Sequence, residues 1–240
     1  MFANKVKFPS TTTKNKQEKR FPTFAKNSEM LSIETFTFNP FQENTYIVYN
    51  DSGSCMVVDP GCYDRREADV LKSFIKENNL SPELLVNTHC HLDHVFGNHV
   101  IESAYGLSPY IHPKEQPIFD SVAQVASMYG LNYTPGGDPL YYTGDEIRFS
   151  GEIFQVLFTP GHAPGHVSLY HADSGMLLSG DVLFRESVGR TDLPGGNMAT
   201  LMKSIREKLF TLPDDTRVYA GHMGPTTIGH EKKFNPFLKS

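Results

Sequence analysis

Four times in this chain a short apolar run stops and a histidine or aspartate follows within a few residues. Residues 84–87 lead into Thr88-His89-Cys90-His91-Leu92-Asp93-His94, and 154–158 into Thr159-Pro160-Gly161-His162. Residues 176–179 lead into Gly180-Asp181, and 217–219 into Ala220-Gly221-His222. If these runs are neighbouring strands, their polar followers gather along one sheet edge, where an open α/β layer places its site. His89 and His91 are two apart; on a helix they would diverge by about 200°, so they converge only on extended or looped backbone. That excludes the H-E-x-x-H geometry, which needs i, i+4 on one helix face. Two ligand pairs from one loop point instead to two neighbouring centres. His89, His91, Asp93, His94, His162, Asp181 and His222 are enough for two metal ions with one shared carboxylate and open positions for water. Asp59, at the end of the apolar run 55–58, is the candidate for fixing a histidine tautomer from behind.

The rest of the chain alternates short strands with helices. Residues 31–38 read as a strand, and 45–49 and 55–58 as a hairpin around Asp51-Ser52-Gly53. Asp64 with Glu67 forms a capping-box pattern before a helical stripe of Val70, Leu71, Phe74 and Ile75. Helices are expected over 95–105, 113–129 and 198–210, and a loop over 131–138. Strands are expected at 84–87, 110–111, 147–149, 154–158, 167–170 and 176–179, with 217–219 the last. This mixture of hairpins and helical crossovers implies two mixed β-sheets with helices outside, an α/β sandwich.

Composition narrows the function classes. The chain has 240 residues, 39% of them hydrophobic, with no run approaching a membrane span. The net charge of -5 argues against a nucleic-acid surface, which needs a basic field. Cys55, Cys62 and Cys90 form no C-x-x-C pair, so reduced thiols and a cytoplasmic setting are expected. Residues 1–29 carry seven basic residues against Glu18 and Glu29 without an apolar period, and read as a disordered leader. They lack a secretory h-region, although an acid-poor leader is also what a transit peptide looks like. Residues 30–240 are expected to form the folded domain.

Thr88 to His94, the later Pro-Gly-His, Gly-Asp and Gly-His, and Val57-Val58-Asp59-Pro60-Gly61 upstream resemble the ordered motifs of the metallo-β-lactamase superfamily. Gly180-Asp181-Val182-Leu183-Phe184, Gly189-Arg190-Thr191-Asp192 and residues 226–231 resemble its glyoxalase II-like branch, the hydroxyacylglutathione hydrolases. The resemblance implies the αβ/βα four-layer sandwich of the metallo-β-lactamase fold with metals at the sheet edge. It implies His89, His91 and His162 on one metal, Asp93, His94 and His222 on the other, and Asp181 bridging. The cofactors implied are two divalent metal ions, zinc first, with iron or manganese as the other choices.

Such a pair of cations about 3.5 to 4 Å apart can hold a shared hydroxide at neutral pH. Attack on an acyl thioester follows, with a metal taking the oxyanion charge and Asp93 as the catalytic carboxylate that orients the nucleophile. The expected partner is a small-molecule thioester, with no nucleic acid and no membrane, and the protein a monomer or small homo-oligomer. The persulfide dioxygenases, which use one iron on the counterparts of His89, His162 and Asp181, are the alternative, and a non-catalytic metal scaffold is a third. The C-terminal domain with which longer glyoxalase II enzymes grip glutathione has no counterpart in the 18 residues after His222, so a weak grip on glutathione is expected, and Met223 stands where compact members usually carry glycine. His99, His112, His171 and His230 read as ordinary structural histidines, and Cys90 as a buried thiol facing away from the ligands. His166, which repeats Pro-Gly-His four residues after His162, is open between a structural role and one near the site.

Overall fold

The computed structural model describes residues 31–239; the leader expected over 1–29 lies outside them. β1 (Ser32–Phe38), β2 (Glu43–Tyr49) and β3 (Ser54–Val58) form an antiparallel meander, and α1 (Arg65–Glu77) carries the chain across to β4 (Ser81–Val86), parallel to β3. After α2 (Leu92–Val95) and α3 (Asn98–Tyr105) come β5 (Pro109–Ile111), α4 (Gln116–Met128) and β6 (Leu140–Tyr141), which complete a six-stranded sheet in chain order. β7 (Glu146–Phe149), β8 (Glu152–Phe158), β9 (Val167–His171) and β10 (Met176–Gly180) begin the second sheet. A small ribbon, β11 (Leu183–Phe184) with β12 (Ser187–Val188), and α5 (Met198–Ser204) follow. β13 (Arg217–Ala220), β14 (Thr226–Thr227) and α6 (Ile228–Phe234) close the second sheet in the order β14-β13-β10-β9-β8-β7.

The alternation of side chains along each strand builds the layers. In β3, Met56 and Val58 face Phe154, Leu169 and Leu178 of the other sheet, while Cys55 and Val57 face Leu71 and Ile75 of α1. The second sheet is covered outside by Leu201 of α5, by Ile205 and Leu209 of a wider helical turn after it, and by Ile228 of α6. Strands apolar on both faces must be covered on both, and two sheets face to face with helices outside satisfy this. The sandwich expected from the sequence is the architecture observed. Among the described residues, no helix is long and apolar enough to cross a membrane.

Several boundaries differ from the sequence reading. The helix expected over 95–105 is interrupted at Phe96-Gly97, where the Gly97 amide donates to Pro60 O at 2.7 Å. A Cβ at Gly97 would lie 2.3 Å from Cys62 Sγ, so glycine is needed for that approach. The capping box is half formed. Asp64 accepts from Glu67 N at 2.9 Å, but the Glu67 carboxylate takes the amides of Tyr63 and Asn39 instead of reaching back to Asp64. Pro117 sits in the first turn of α4, where a missing N–H costs nothing. The strand at 217–219 is not the last, because β14 and α6 follow it.

Candidate metal centre

Parallel pairing brings the strand ends together. β3 and β4 run in register at Val58 and Val86, so Asp59 and the Thr88–His94 segment emerge at one edge. β10 and β13 are also parallel, with Gly180 opposite Ala220, so Asp181 and His222 emerge side by side. The two sheets are joined at this edge: Tyr46 Oη donates to Ala220 O at 2.6 Å, Asn44 N to Gly221 O at 2.7 Å, and Glu43 bridges His222. His91 precedes the first turn of α2, which carries Asp93 and His94.

All seven residues singled out from the sequence converge. His89, His91 and His162 form one trio and Asp93, His94 and His222 another, with the donor atoms of each trio within 4.8 Å of one another. His162 Nε2 lies 2.8 Å from His91 Nδ1 and 3.2 Å from His89 Nε2. His222 Nε2 lies 3.2 Å from Asp93 Oδ2, and His94 Nε2 lies 3.7 Å from the same oxygen. Asp181 stands between the trios. Its Oδ1 is 3.4 Å from His94 Nε2, and its Oδ2 is 3.4 Å from His162 Nε2 and 3.5 Å from His222 Nε2.

The outer nitrogens of His162, His222 and His94 are engaged elsewhere, which fixes which nitrogen of each faces inward. His162 Nδ1 donates to Arg190 O at 2.8 Å and His222 Nδ1 to Gln42 O at 3.1 Å. His94 Nδ1 lies 3.2 Å from Asp59 Oδ2, and Asp59 itself accepts from the amide and hydroxyl of Thr88. Asp59 thus stands behind His94, with backbone in the left-handed region at φ 48.

The donors fit divalent cations. His94 Nε2 and Asp181 Oδ1 are buried and have no hydrogen-bond partner, and the nitrogens of the first trio crowd together where only some could carry a proton. Cations accept all of these lone pairs at once. Electrostatics agree. Burial, followed by neighbouring imidazoles, holds His89 well below the ordinary histidine value and pushes His91 down to about 3. Burial also lowers His162. These rings are therefore neutral ligands at pH 7. Burial opposes ionisation of Asp181, but His94, His162 and His222 outweigh it and hold its carboxyl below the usual range. Burial alone would depress His94, yet Asp181 and Asp93 raise it, so its surroundings call for positive charge. The two trios and the shared carboxylate make a dinuclear divalent-metal site.

Three supporting residues escaped the sequence reading or were left open by it. His166, fully buried, stacks on His89 with ring centroids 5.0 Å apart and accepts the Asp181 amide proton on Nε2 at 3.0 Å. Its Nδ1 faces Thr159 Oγ1 at 3.0 Å. Glu115, buried, accepts from Cys90 N at 2.9 Å and Gly165 N at 2.6 Å, tying the first ligand loop to the one that carries His162. Glu43, also buried, accepts from Thr45 Oγ1 and leaves Oε1 3.8 Å from His94 Nδ1. The repeated Pro-Gly-His was the signal for His166; a lone glutamate gives none.

The remaining histidines lie outside the centre. His99 bonds Phe96 O, His112 stacks on Phe158, His171 pairs with Glu152 and His230 with Glu186. Cys90 points into a core with Val95, Phe96 and Ile111. Above the donor atoms opens a cleft of about 290 Å³, lined on the metal side by His91, Asp93, His162, Asp181 and His222.

Comparison with known proteins agrees with this geometry. Hydroxyacylglutathione hydrolase GloC of Haemophilus influenzae is 36% identical over 214 residues, covering 88% of this chain and 99% of its own. TTHA1623 in a di-iron-bound form matches with TM-score 0.77 and 38% identity, over 85% of this chain and 100% of that one. BLEG-1, a B3 metallo-beta-lactamase, matches with TM-score 0.80 and 34% identity, over 87% of this chain and 100% of that one. The family model described as the metallo-beta-lactamase superfamily matches residues 38–222, from the end of β1 through the last histidine of the centre, and the chain belongs to that superfamily.

Proposed function

We propose that the protein is a metal-dependent hydrolase of small acyl thioesters, similar to hydroxyacylglutathione hydrolases. His89, His91 and His162 would hold one ion, Asp93, His94 and His222 the other, and Asp181 would serve both. The observation that carries the reading is the position of Asp181, with one oxygen turned to His94 and the other to His162 and His222. Divalent cations held there supply Lewis acidity and a water whose pKa is lowered to about 7.

The chain's own residues do the rest. Asp93 lies at the cleft wall; although burial works against its charge, His94 and His222 hold its pKa below the usual carboxylate value. It is ionised at neutral pH and oriented by His222, so it can take a proton from an attacking water and hold it during bond exchange. A thiolate leaves readily and asks for little general-acid help, which suits a cleft whose other acidic groups are all donors to the centre. The relationship to GloC supports this class of substrate.

A persulfide dioxygenase would need one iron, on His89, His162 and Asp181. The second trio is complete around the buried His94, but a dioxygenase shares the same histidine motif, so metal identity is what separates the two readings. The deciding experiment measures metal stoichiometry of protein purified without added metal, then S-lactoylglutathione hydrolysis beside oxygen uptake with glutathione persulfide. Hydrolysis lost on chelation and restored by zinc, iron or manganese is expected. Oxygen uptake without hydrolysis, or full hydrolysis by the metal-free protein, overturns the reading.

A further inference from the structure

Outside the donor atoms the cleft lining is mostly hydrocarbon. The α4 residues Ile118, Ser121 and Val125, and Tyr129 at its C-terminus, all line it. Their spacings of three and four put them on one helix face. Phe41 and Leu193 line it too, and Phe41 meets Tyr129 edge-on with ring centroids 6.0 Å apart. Both residues remain exposed in part, Phe41 at 39% and Tyr129 at 57%, so packing within the chain leaves apolar surface on each uncovered. The charged lining residue outside the seven donors is Arg190, whose Nε and Nη2 donate to the two oxygens of Asp192 at 2.7 Å. No lining lysine is present to receive a carboxylate.

Resting on the thioester-hydrolase reading of the same centre, we propose that this wall is the acyl subsite and that it selects small apolar acyl groups, short aliphatic or aromatic, over hydroxylated or charged ones. The reacting carbonyl sits at the donor atoms while the acyl chain lies along Ile118 and Val125, toward the Phe41–Tyr129 pair. A cleft of about 290 Å³ is at the lower end of the roughly 300–1,000 Å³ that takes drug-sized ligands. It has room for such an acyl group and not for a peptide carrier as well, so the thiol lies outside and contributes little. Remote contacts that persist into the transition state raise kcat/KM, and each methylene buried in such a wall is worth roughly a fourfold gain.

The test uses the metal-loaded enzyme and a series of N-acetylcysteamine thioesters: acetyl, lactoyl, butyryl, hexanoyl and benzoyl. Keeping the thiol constant and uncharged isolates the acyl group. Expected is a rise in kcat/KM of at least about tenfold from acetyl to hexanoyl, with butyryl ahead of lactoyl. Val125→Asp and, as a milder change on the same face, Ile118→Ser should flatten the series, with circular dichroism to verify folding. A flat or falling series on an enzyme that does hydrolyse thioesters overturns the proposal, as does a slope unchanged in both folded variants. Calorimetric binding of hexanamide against acetamide separates this from failure of the hydrolase reading. If no thioester is cleaved yet hexanamide binds at least about tenfold tighter, the apolar subsite stands and the reaction assignment falls. Equal binding of the two amides overturns the subsite itself.

Discussion

His166 accepts the backbone amide of Asp181 through Nε2 at 3.0 Å, so a ring that faces no substrate sets the position of the carboxylate shared by both trios. The bond requires Nε2 to be unprotonated, and burial holds His166 well below the ordinary histidine value. Gly180 makes the contact possible. It lies at φ 49, and a Cβ there would be 2.5 Å from His166 Nε2. His166→Ala removes the acceptor and should weaken metal binding about 10- to 100-fold. Competition against a chelator of known affinity measures this; unchanged affinity would mean that the backbone at Gly180 positions Asp181 unaided.

His94→Ala should empty mainly the second trio's site. Metal content falls from two ions toward one, and hydrolysis falls by at least about a hundredfold, since one centre of charge stabilisation is lost. Elemental analysis beside turnover checks both. Two ions retained with full activity would exclude His94 as a ligand.

Gly221→Ala should damage the centre without touching a donor. The added methyl would sit 2.1 Å from Asp181 Oδ1 and 2.7 Å from His94 Cε1. Overpacking of this kind costs about 1–3 kcal/mol in stability. The expected signature is a folded protein with depleted metal and little activity, read by melting temperature and metal content together.

Glu115→Ala should leave the amides of Cys90 and Gly165 buried without partners, at a cost of about 1–3 kcal/mol each. Glu115→Gln keeps an acceptor oxygen and should lose less. Burial raises the pKa of Glu115 while the two amides oppose this, so the carboxylate is held by the bonds it accepts. Equal stability of the two variants by denaturant unfolding would count against the tie between the ligand loops.

In the metal-free protein, stability should fall as the solution is acidified below about pH 6.5. His89, His91, His162 and His166 all titrate lower in the folded state than in the unfolded chain, so the unfolded chain binds more protons in that range. Their contribution is full above the unfolded value and lost as pH falls toward about 3, where His91 itself titrates. His94 and His222 are raised and act oppositely, with a contribution present at low pH and lost as pH rises through their folded values. Their effect lies above about pH 6.5 and does not offset the four lowered rings below it; the raised carboxyls of Glu43 and Glu115 oppose them there, two groups against four, and the slope is positive. Melting temperatures of the metal-free protein at about pH 7 and about pH 4 test this; equal values would contradict the neutral-ring assignment.

The seven donors could be read from the chain because each follows a strand end and the spacing of His89 and His91 forbids a helix. Asp59 was legible for the same reason. Glu115 was not: its partners, Cys90 and Gly165, lie 25 and 50 residues away, and nothing in the local pattern marks an acidic residue for burial. The elements after β13 were obscured similarly. α6 buries Ile228 and Glu231, and the Glu231 carboxylate accepts from Glu186 N and Asn235 Nδ2, so its inner face lacks the apolar stripe by which helices are recognised. The interruption at Gly97 answers to Pro60 and Cys62, which come from a different loop.

Cys90 gives the fold a chemical selectivity that the bare sequence does not have. In an unfolded chain the run from His89 to His94 offers imidazole, carboxylate and thiolate together, an attractive chelator for thiophilic ions such as copper(I). Folding withdraws the sulfur into the core with Phe96 and Ile111, and burial raises the thiol far above its ordinary pKa, leaving nitrogen and oxygen alone at the surface of the centre. A soft ion therefore finds in the unfolded chain a sulfur ligand that the folded centre does not offer, whereas a borderline ion such as zinc finds its nitrogen and oxygen ligands assembled in the native state.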